Sequence, residues 1–275
     1  MNEYKTRFFN TIEEKDNLLI KKSYNKEKII SEFLYYYDNK NLQNFLIQPK
    51  NLIIDKNYAE YSMEKINDKD IGYKYVNNFI NQNDFNKIIL NIKNFKNKNN
   101  FIELNKETMF YFANENVINK TIKRINKIIL YDFNKNNLLN LLIEKFNKYF
   151  ENRKTFYIAP SHGDMCFSNM FLINDNLKLI DSKGIEYSIM DEYYDLAKIS
   201  QSWIYGYDFI MYNKPFISKN TDIFFEYLNE NNINKELLDV YTASLFISMC
   251  PMHIDRPDRI EKFLDVAEKI LKNLD

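Results

Sequence analysis

The sequence predicts an α+β fold in which a small β-rich part precedes a larger, mainly helical part. Residues 1–66 contain short apolar runs bounded by polar turns, which is the pattern of strands. From residue 70 onward, apolar side chains recur every three to four positions, as in amphipathic helices. A compact pair of predicted strands after Pro160 interrupts the helical pattern. We therefore expect a sheet-forming N-terminal part and a helical part that contains one hairpin.

The N-terminal part predicts the order β-β-α-β-β. Two apolar runs, Arg7 to Phe9 and Leu18 to Ile20, flank a polar segment and suit two paired strands. The segment Lys26 to Tyr37 has apolar residues at helical spacing and predicts one amphipathic helix. The last two strands are predicted at Asn51 to Ile54 and at Tyr58 to Ile66.

The remaining chain predicts helices around one hairpin. The hairpin strands are expected at Met170 to Ile173 and Leu177 to Ile180, with the turn at Asn174 to Asn176. Apolar periodicity predicts six helices: Tyr75 to Phe95, Glu115 to Ile129, Asn137 to Phe150, Asp222 to Asn229, Lys235 to Met249 and Pro257 to Leu274.

Composition and charge exclude several classes of protein. The 38 basic residues balance the 38 acidic ones, so a generic polyanion binder is excluded and no nucleic-acid partner is expected. At 45% hydrophobic and 16% aromatic residues, the chain is not intrinsically disordered. The N-terminus lacks an apolar signal segment, and no apolar run is long enough to span a bilayer. We expect a cytoplasmic protein without a membrane span.

The most informative segment is S-H-G-D-M-C-F-S-N at residues 161–169, followed by Asp181 in L-I-D-S-K-G. A loop from Asp164 to Asn169 can place a carboxylate against a substrate hydroxyl and an amide oxygen against a metal. A hairpin can then return Asp181 to the same place. This set suits phosphoryl transfer from Mg-ATP, because Mg²⁺ takes few carboxylates and completes its coordination with water and phosphate oxygens.

This segment resembles the aminoglycoside phosphotransferase and choline kinase group of the protein-kinase-like superfamily. The resemblance implies that Asp164 is the catalytic base and that His162 supports the catalytic loop. It also implies that Asn169 and Asp181 hold Mg²⁺. The family motif H-[GN]-D-x4-N, with the I-D pair that follows it, is matched by His162, Gly163, Asp164, Asn169, Ile180 and Asp181.

The resemblance implies a bilobal protein-kinase-like fold. Residues 1–66 would form the small N-lobe, a five-strand-like sheet with one helix, which covers the nucleotide. Residues 67–275 would form the helical C-lobe. A strand lysine should then neutralise the ATP phosphates and pair with a glutamate of the next helix. Lys22 is the candidate, with Lys21 as the adjacent alternative, and Glu32 is the expected partner. The strand of Glu64 is expected to meet the adenine.

Glycine is scarce, and its positions matter. The chain has 4 glycines, where average usage predicts about 19. Gly163 lies in the motif, and Gly184 follows the second metal ligand by three positions. The first glycine is Gly72, so the N-lobe has no Gly-rich loop. The turn within residues 10–17 is therefore expected to cover the phosphates with polar groups.

The H-G-D-x-C-F-S-N and I-D-x-[KR]-G wording, with G-Y-D at residues 206–208, is most similar to a bacterial subgroup found among surface-polysaccharide functions. We predict an ATP- and Mg²⁺-dependent kinase that phosphorylates a hydroxyl of a sugar, amino alcohol or related precursor, for surface-glycan or capsule synthesis. Ser182 and Lys183 stand where choline kinases have an aromatic residue and a glutamate, which argues against choline. An aminoglycoside phosphotransferase and a nucleotide-binding pseudokinase are the alternatives.

Overall fold

The structure is a computed structural model that describes residues 10–97, 101–128 and 134–274. The chain forms two units: residues 1–100 with 160–189, and residues 101–159 with 190–275. The first unit thus contains both the N-terminal sheet and the segment with the H-G-D motif. The lobe boundary at residue 66 stays a prediction, and the predicted strand Arg7 to Phe9 lies outside the described residues. No helix of the described ranges is long and apolar enough to cross a membrane.

Residues 10–97 form strands and one helix in the order β-β-α-β-β, followed by two helices, and β1 lies on the segment that the sequence predicts as a polar turn after the strand Arg7 to Phe9. The four strands make one antiparallel sheet in the order β1-β2-β4-β3. A fifth strand is not among the described residues and stays a prediction. The elements are β1 (Asn10–Lys15), β2 (Leu18–Ser23), α1 (Lys26–Asp38), a 3₁₀ turn (Lys40–Leu42), β3 (Pro49–Ile54), β4 (Ala59–Glu64), α2 (Ile71–Val76) and α3 (Gln82–Asn97).

The rest of the chain is mainly helical, with two small sheets. One is the three-stranded sheet β5-β6-β9, and the other is the antiparallel hairpin β7-β8. The elements up to β9 are β5 (Ile102–Glu103), α4 (Lys106–Asn114), a π-helical segment (Glu115–Asn119), α5 (Lys120–Ile125), α6 (Lys135–Glu151), β6 (Tyr157–Pro160), a 3₁₀ turn (Phe167–Asn169), β7 (Met170–Ile173), β8 (Asn176–Leu179), a 3₁₀ turn (Ile185–Tyr187) and β9 (Ile189–Asp191). The closing elements are α7 (Glu192–Trp203), α8 (Tyr207–Met211), α9 (Thr221–Glu230), α10 (Lys235–Met249), a 3₁₀ turn (Cys250–His253) and α11 (Pro257–Lys272).

Two predicted helices differ from those observed. The single helix predicted from Tyr75 to Phe95 is two helices, α2 and α3, because Asn78 adopts a left-handed φ of 61° that a continuous α-helix does not tolerate. The helix predicted to start at Glu115 begins earlier, at α4. The side chain of Asn105 caps it by accepting a hydrogen bond from the Thr108 backbone at 2.8 Å.

Helix α1 packs on the N-terminal sheet. It begins after Asn25, whose side chain accepts a hydrogen bond from the Lys28 backbone at 3.2 Å. Its apolar residue Ile29 is fully buried in a cluster with Tyr61 and Met63 of β4. Glu32, almost one turn further along α1, is fully buried as well. Burial of a carboxylate is costly unless it is paired, so Glu32 must have cationic partners.

The second unit is organised around α10. Residues Leu237 to Met249 of this helix are all buried, as expected for a helix that is covered on every side. Helices α6, α7 and α11 pack against it.

Candidate active site

Lys21 lies between two carboxylates in the first unit. Its Nζ is 2.7 Å from Oε2 of Glu32, and it also donates a hydrogen bond to Oδ1 of Asp181. The Tyr61 hydroxyl donates to the same Glu32 oxygen at 3.1 Å. Lys28 contacts the other Glu32 oxygen, Oε1, at 3.2 Å. Helix α1, strand β2 and Asp181, two residues after β8, are thus joined at one cation.

The ion pair predicted for Lys22 is made by Lys21, the adjacent alternative. Neighbouring residues of a strand point to opposite faces, and α1 covers the face that carries Lys21. In the sheet register, Lys21 lies opposite Tyr61 and Lys22 lies opposite Glu60. The Lys22 ammonium is 3.5 Å from the centre of the Tyr58 ring and 4.0 Å from the Glu60 carboxylate. Lys22 is therefore not part of this cluster.

The charges of the cluster shift the pKa values of its members. Burial lowers the pKa of Lys21, but Asp181 and Glu32 raise it by more, so the net pKa lies above the usual lysine value. Burial raises the pKa of Asp181, but Lys21, Lys28 and Lys183 together hold it well below the usual aspartate value. Both groups are therefore ionised at neutral pH.

The β7-β8 hairpin brings Asn169 and Asp181 to the same end. Met170 pairs with Leu179, so the residues just outside the hairpin are neighbours, and the Ile180 backbone donates to the Asn169 carbonyl at 3.1 Å. Asp181 itself has a left-handed φ of 58°, an uncommon conformation for a non-glycine residue. The hairpin thus returns Asp181 to the motif loop, as the sequence predicts.

The catalytic-loop candidate Asp164 is held by its own loop. Its carbonyl accepts hydrogen bonds from the Asn169 side-chain amide at 2.9 Å and from the Cys166 backbone at 2.9 Å. Its side chain forms an ion pair with Lys183, with 2.7 Å between Nζ and Oδ2. His162 is fully buried behind this loop, and its ring contacts Tyr35 edge-on at 6.2 Å between centroids.

Both motif glycines occupy positions where a side chain would collide. Gly163 has a φ of 75°, and an added Cβ would lie 2.8 Å from the Cβ atoms of Lys183 and Tyr187. Gly184 has a φ of 94° and lies against Ser31 of α1, whose hydroxyl accepts a hydrogen bond from the Ile185 backbone at 3.0 Å. This contact ties the segment after Asp181 to the residue beside Glu32.

The predicted adenine side of the site is the end of β4. Glu64 is the exposed last residue of this strand, opposite Leu18. Leu19 and Ile180, partly buried, pack with Met63 and form an apolar patch on the same face of β2 as Lys21. The role of Glu64 stays a prediction.

The β1-β2 turn is the segment expected to cover the phosphates, and this role stays a prediction. Its two residues, Asp16 and Asn17, both have left-handed φ values. The Asn17 carbonyl accepts a hydrogen bond from the Lys65 backbone at 3.0 Å, so the turn lies beside the end of β4. Lys21 is four positions after Asn17, about 13 Å along the strand at a rise of about 3.3 Å per residue.

The donor set fits a divalent cation of the magnesium type. The nitrogen of the Asn169 amide donates to the Asp164 carbonyl, so its oxygen points the other way and can serve as a ligand. The Asp181 side chain is 44% exposed, and Oδ1 is the oxygen bound to Lys21, which leaves Oδ2 for a cation. Two protein oxygens, with water and phosphate oxygens, match the preference of Mg²⁺.

The roles of three residues of this site follow only from the structure. Tyr61 holds Glu32, and Lys183 holds Asp164, as described above. Asn91 of α3 binds the hairpin turn: its side chain donates to the Asp175 carbonyl at 2.9 Å and accepts from the Leu177 backbone at 3.1 Å. The position of Lys183, two residues after a candidate metal ligand, was a usable signal, whereas no sequence pattern marks Tyr61 or Asn91.

No protein-family model matches the sequence, and no curated protein is significantly similar to it. Several solved structures are similar in fold. The GDP complex of wild-type aminoglycoside 2'-phosphotransferase-IIIa has a TM-score of 0.65 at 13% identity, over 98% of this chain and 91% of that one. A ternary complex of aminoglycoside phosphotransferase APH(4)-Ia with AMP-PNP and hygromycin B has a TM-score of 0.60 at 7% identity, over 98% and 95%. Glucosamine kinase with glucosamine, ADP and inorganic phosphate has a TM-score of 0.54 at 6% identity, over 98% and 80%.

These similarities establish the fold. The chain has the α+β protein-kinase-like fold, with a small antiparallel-sheet lobe and a larger helical lobe. The three solved structures named above are those of two aminoglycoside phosphotransferases and a glucosamine kinase. The fold class predicted from the sequence is confirmed.

Proposed function

We propose that this protein is an ATP- and Mg²⁺-dependent kinase that transfers the γ-phosphoryl group to a hydroxyl of a small molecule. The observation that carries the proposal is the Lys21 ion-pair cluster. A buried lysine held between a helix glutamate and the aspartate after a hairpin is the arrangement that binds nucleotide phosphates beside a metal in kinases. Asp164 and Asn169 lie on the loop that leads into the same hairpin.

Each residue has a distinct part in the proposed reaction. Lys21 binds the phosphates, while Glu32 and Tyr61 fix its position. Asn169 and Asp181 would hold Mg²⁺, which supplies neutralisation of the charge on the phosphate oxygens. Asp164 orients the acceptor hydroxyl and accepts its proton.

The similar solved structures support both substrates of the proposed reaction. They contain AMP-PNP, ADP or GDP, which supports a purine nucleoside triphosphate as donor. Their other ligands include hygromycin B and glucosamine. Together with the subgroup resemblance of the motif, this supports a sugar, an amino alcohol or a related precursor as acceptor, in surface-glycan synthesis.

The test is a phosphorylation screen of polyols, amino alcohols, sugars and nucleoside-linked precursors. The release of nucleoside diphosphate is measured with ATP and with GTP as donor. Asp164→Ala and Asp181→Ala should each abolish transfer. Asp175→Ala is the matched control, because Asp175 lies in the hairpin turn and its side chain is 67% exposed. Near-wild-type turnover in either of the first two variants would contradict the mechanism.

The same screen separates the alternatives. An aminoglycoside as the preferred acceptor, with protection of growth against the antibiotic, would indicate an antibiotic kinase. Binding of Mg-ATP without transfer to any member of the panel would indicate a nucleotide-binding pseudokinase. The balanced charge of the chain and the Lys183 ammonium beside Asp164 weigh against the first alternative, since polycationic aminoglycosides call for an acidic acceptor surface.

A further inference from the structure

Lys183 forms an ion pair with Asp164 that the proposed reaction does not use. The Lys183 Nζ is 2.7 Å from Oδ2 of Asp164, and the side chains are only 19% and 11% exposed. This pair is thus more enclosed than the surface ion pairs of the described residues, such as Lys106 with Glu151 at 48% and 67%. Oδ2 of the candidate base is therefore bound by a cation.

The backbone around the pair is shaped to fit Lys183. The Lys183 backbone N–H donates to the His162 carbonyl at 3.1 Å, which links the segment after the hairpin to the motif loop. At Gly163, any side chain would place its Cβ 2.8 Å from the Lys183 Cβ. The motif glycine therefore leaves room for the stem of this lysine, and both ends of Lys183 are fixed against the loop that carries Asp164.

Lys183 is also close to the candidate metal ligand. Its charge acts on Asp181, together with those of Lys21 and Lys28. Since Asp164 and Asp181 are both carboxylates of one small site, a cation between their segments reduces their mutual repulsion. A lysine in this place can hold the base without binding the nucleotide itself.

We propose that Lys183 is a positioning residue for phosphoryl transfer, which binds Oδ2 of Asp164 and so orients this carboxylate toward the acceptor hydroxyl. This inference rests on the proposed kinase function. A carboxylate free to rotate would present its oxygen correctly for only part of the time, and small misplacements of reacting groups cost large factors in rate. Lys183 acts through Asp164 and not through the phosphates.

The test compares Lys183→Met, Lys183→Arg, Asp164→Asn and the double variant Asp164→Asn with Lys183→Met. Turnover is measured with the best acceptor of the screen and with water as acceptor, and nucleotide affinity is measured by calorimetry with AMP-PNP and Mg²⁺. Lys183→Met should lower kcat about 10- to 100-fold while AMP-PNP affinity stays at the wild-type value. Lys183→Arg should restore most of kcat. The double variant should be no slower than Asp164→Asn alone.

Lys178→Met is the matched control. Lys178 lies on β8, five positions earlier, and its ammonium donates to the Asn44 carbonyl. Urea unfolding of every variant separates loss of position from loss of fold, and the arginine variant keeps the test decisive if the methionine variant unfolds.

Two outcomes would overturn the positioning role. One is wild-type kcat in Lys183→Met, and the other is a further loss in the double variant relative to Asp164→Asn, which would mean that Lys183 acts on the phosphates directly. Failure of the kinase proposal has a different signature, because then Asp164→Asn itself would not change the turnover of ATP.

Discussion

At the scale of single residues, the site depends on which of two adjacent lysines faces the helix. Lys21 has one carboxylate from α1 and one from the segment after β8, whereas Lys22 stacks on Tyr58. A strand turns alternate side chains to opposite faces, so the two lysines cannot exchange roles without a shift in register. Substitution of each lysine in turn therefore tests the role of Lys21 against a control at the adjacent position.

We expect Lys21→Met to weaken the binding of Mg-AMP-PNP about 10- to 100-fold, because a charge-assisted contact to a phosphate contributes about 1.5–3 kcal/mol. Calorimetric titration measures this affinity. Lys22→Met is the matched control and should bind the nucleotide as the wild type does. Equal losses in the two variants would contradict the assignment of Lys21.

At the scale of elements, the hairpin that carries the candidate metal ligands depends on a helix outside the motif. Asn91 of α3 satisfies the Leu177 N–H and the Asp175 carbonyl, two backbone groups that the short hairpin cannot pair by itself. Asn91 is 7% exposed, so water does not readily replace its amide.

Asn91→Ala should lower the free energy of unfolding by about 1–3 kcal/mol, because it leaves the buried Leu177 N–H without its partner. Urea denaturation measures this loss. Asn86→Ala on the exposed face of the same helix is the control, and it should change stability by far less. A comparable loss in both variants would show that helix propensity, and not the hairpin contact, is responsible.

In the second unit, the start of α7 is held by a buried ion pair. Arg153 contacts both oxygens of Asp191, at 2.7 and 2.9 Å, and its guanidinium lies 4.4 Å from the Tyr193 ring centre. Asp191 also caps α7 by accepting from the Tyr193 backbone at 3.0 Å and binds the Tyr241 hydroxyl of α10 at 2.6 Å. One carboxylate thus joins two helices to the segment before β6.

Arg153→Met should destabilise the protein by about 3–5 kcal/mol, because it leaves the buried Asp191 charge without its cation. The free energy of unfolding in urea is the measurement. Arg256→Met removes an exposed arginine from its pair with Asp258 and should leave stability almost unchanged. A small effect of Arg153→Met would mean that Tyr241 and the helix N-terminus suffice to hold Asp191.

At the scale of the whole molecule, the buried tyrosines should make the free energy of unfolding fall at high pH. The chain has 21 tyrosines. Burial raises the pKa of Tyr193 to about 12, and it also raises the pKa values of Tyr61, Tyr227 and Tyr241. A group whose pKa is raised by folding contributes stability below its unfolded pKa, and that stability is lost as the pH rises through the folded value.

The free energy of unfolding should therefore fall steadily from about pH 10, the pKa of an exposed tyrosine, toward pH 12. Urea denaturation at a series of pH values measures this slope. Tyr227→Phe should make the slope shallower, whereas Tyr111→Phe, at a site 69% exposed, should leave it unchanged. A slope that is the same in both variants would contradict a contribution from buried tyrosine.

Much of this molecule follows from its sequence. The β-β-α-β-β order and the Met170 to Ile173 strand are local patterns, because strand and helix periodicities are properties of a few neighbouring residues. The break at Asn78 and the early start of α4 at Asn105 were missed, since turn and cap geometry depend on single asparagines in a chain rich in them.

The sequence by itself determined the fold class and the residue types of the candidate site, because the spacing of Asp164, Asn169 and Asp181 reflects one loop and one short hairpin. Only the tertiary structure decided that Lys21 pairs with Glu32, that Lys183 binds Asp164 and that Asn91 supports the hairpin. Each of those contacts joins segments that are distant in the chain or that belong to different elements. Their choice depends on which face of a strand a helix covers and which buried polar group is left to satisfy, and both are properties of packing.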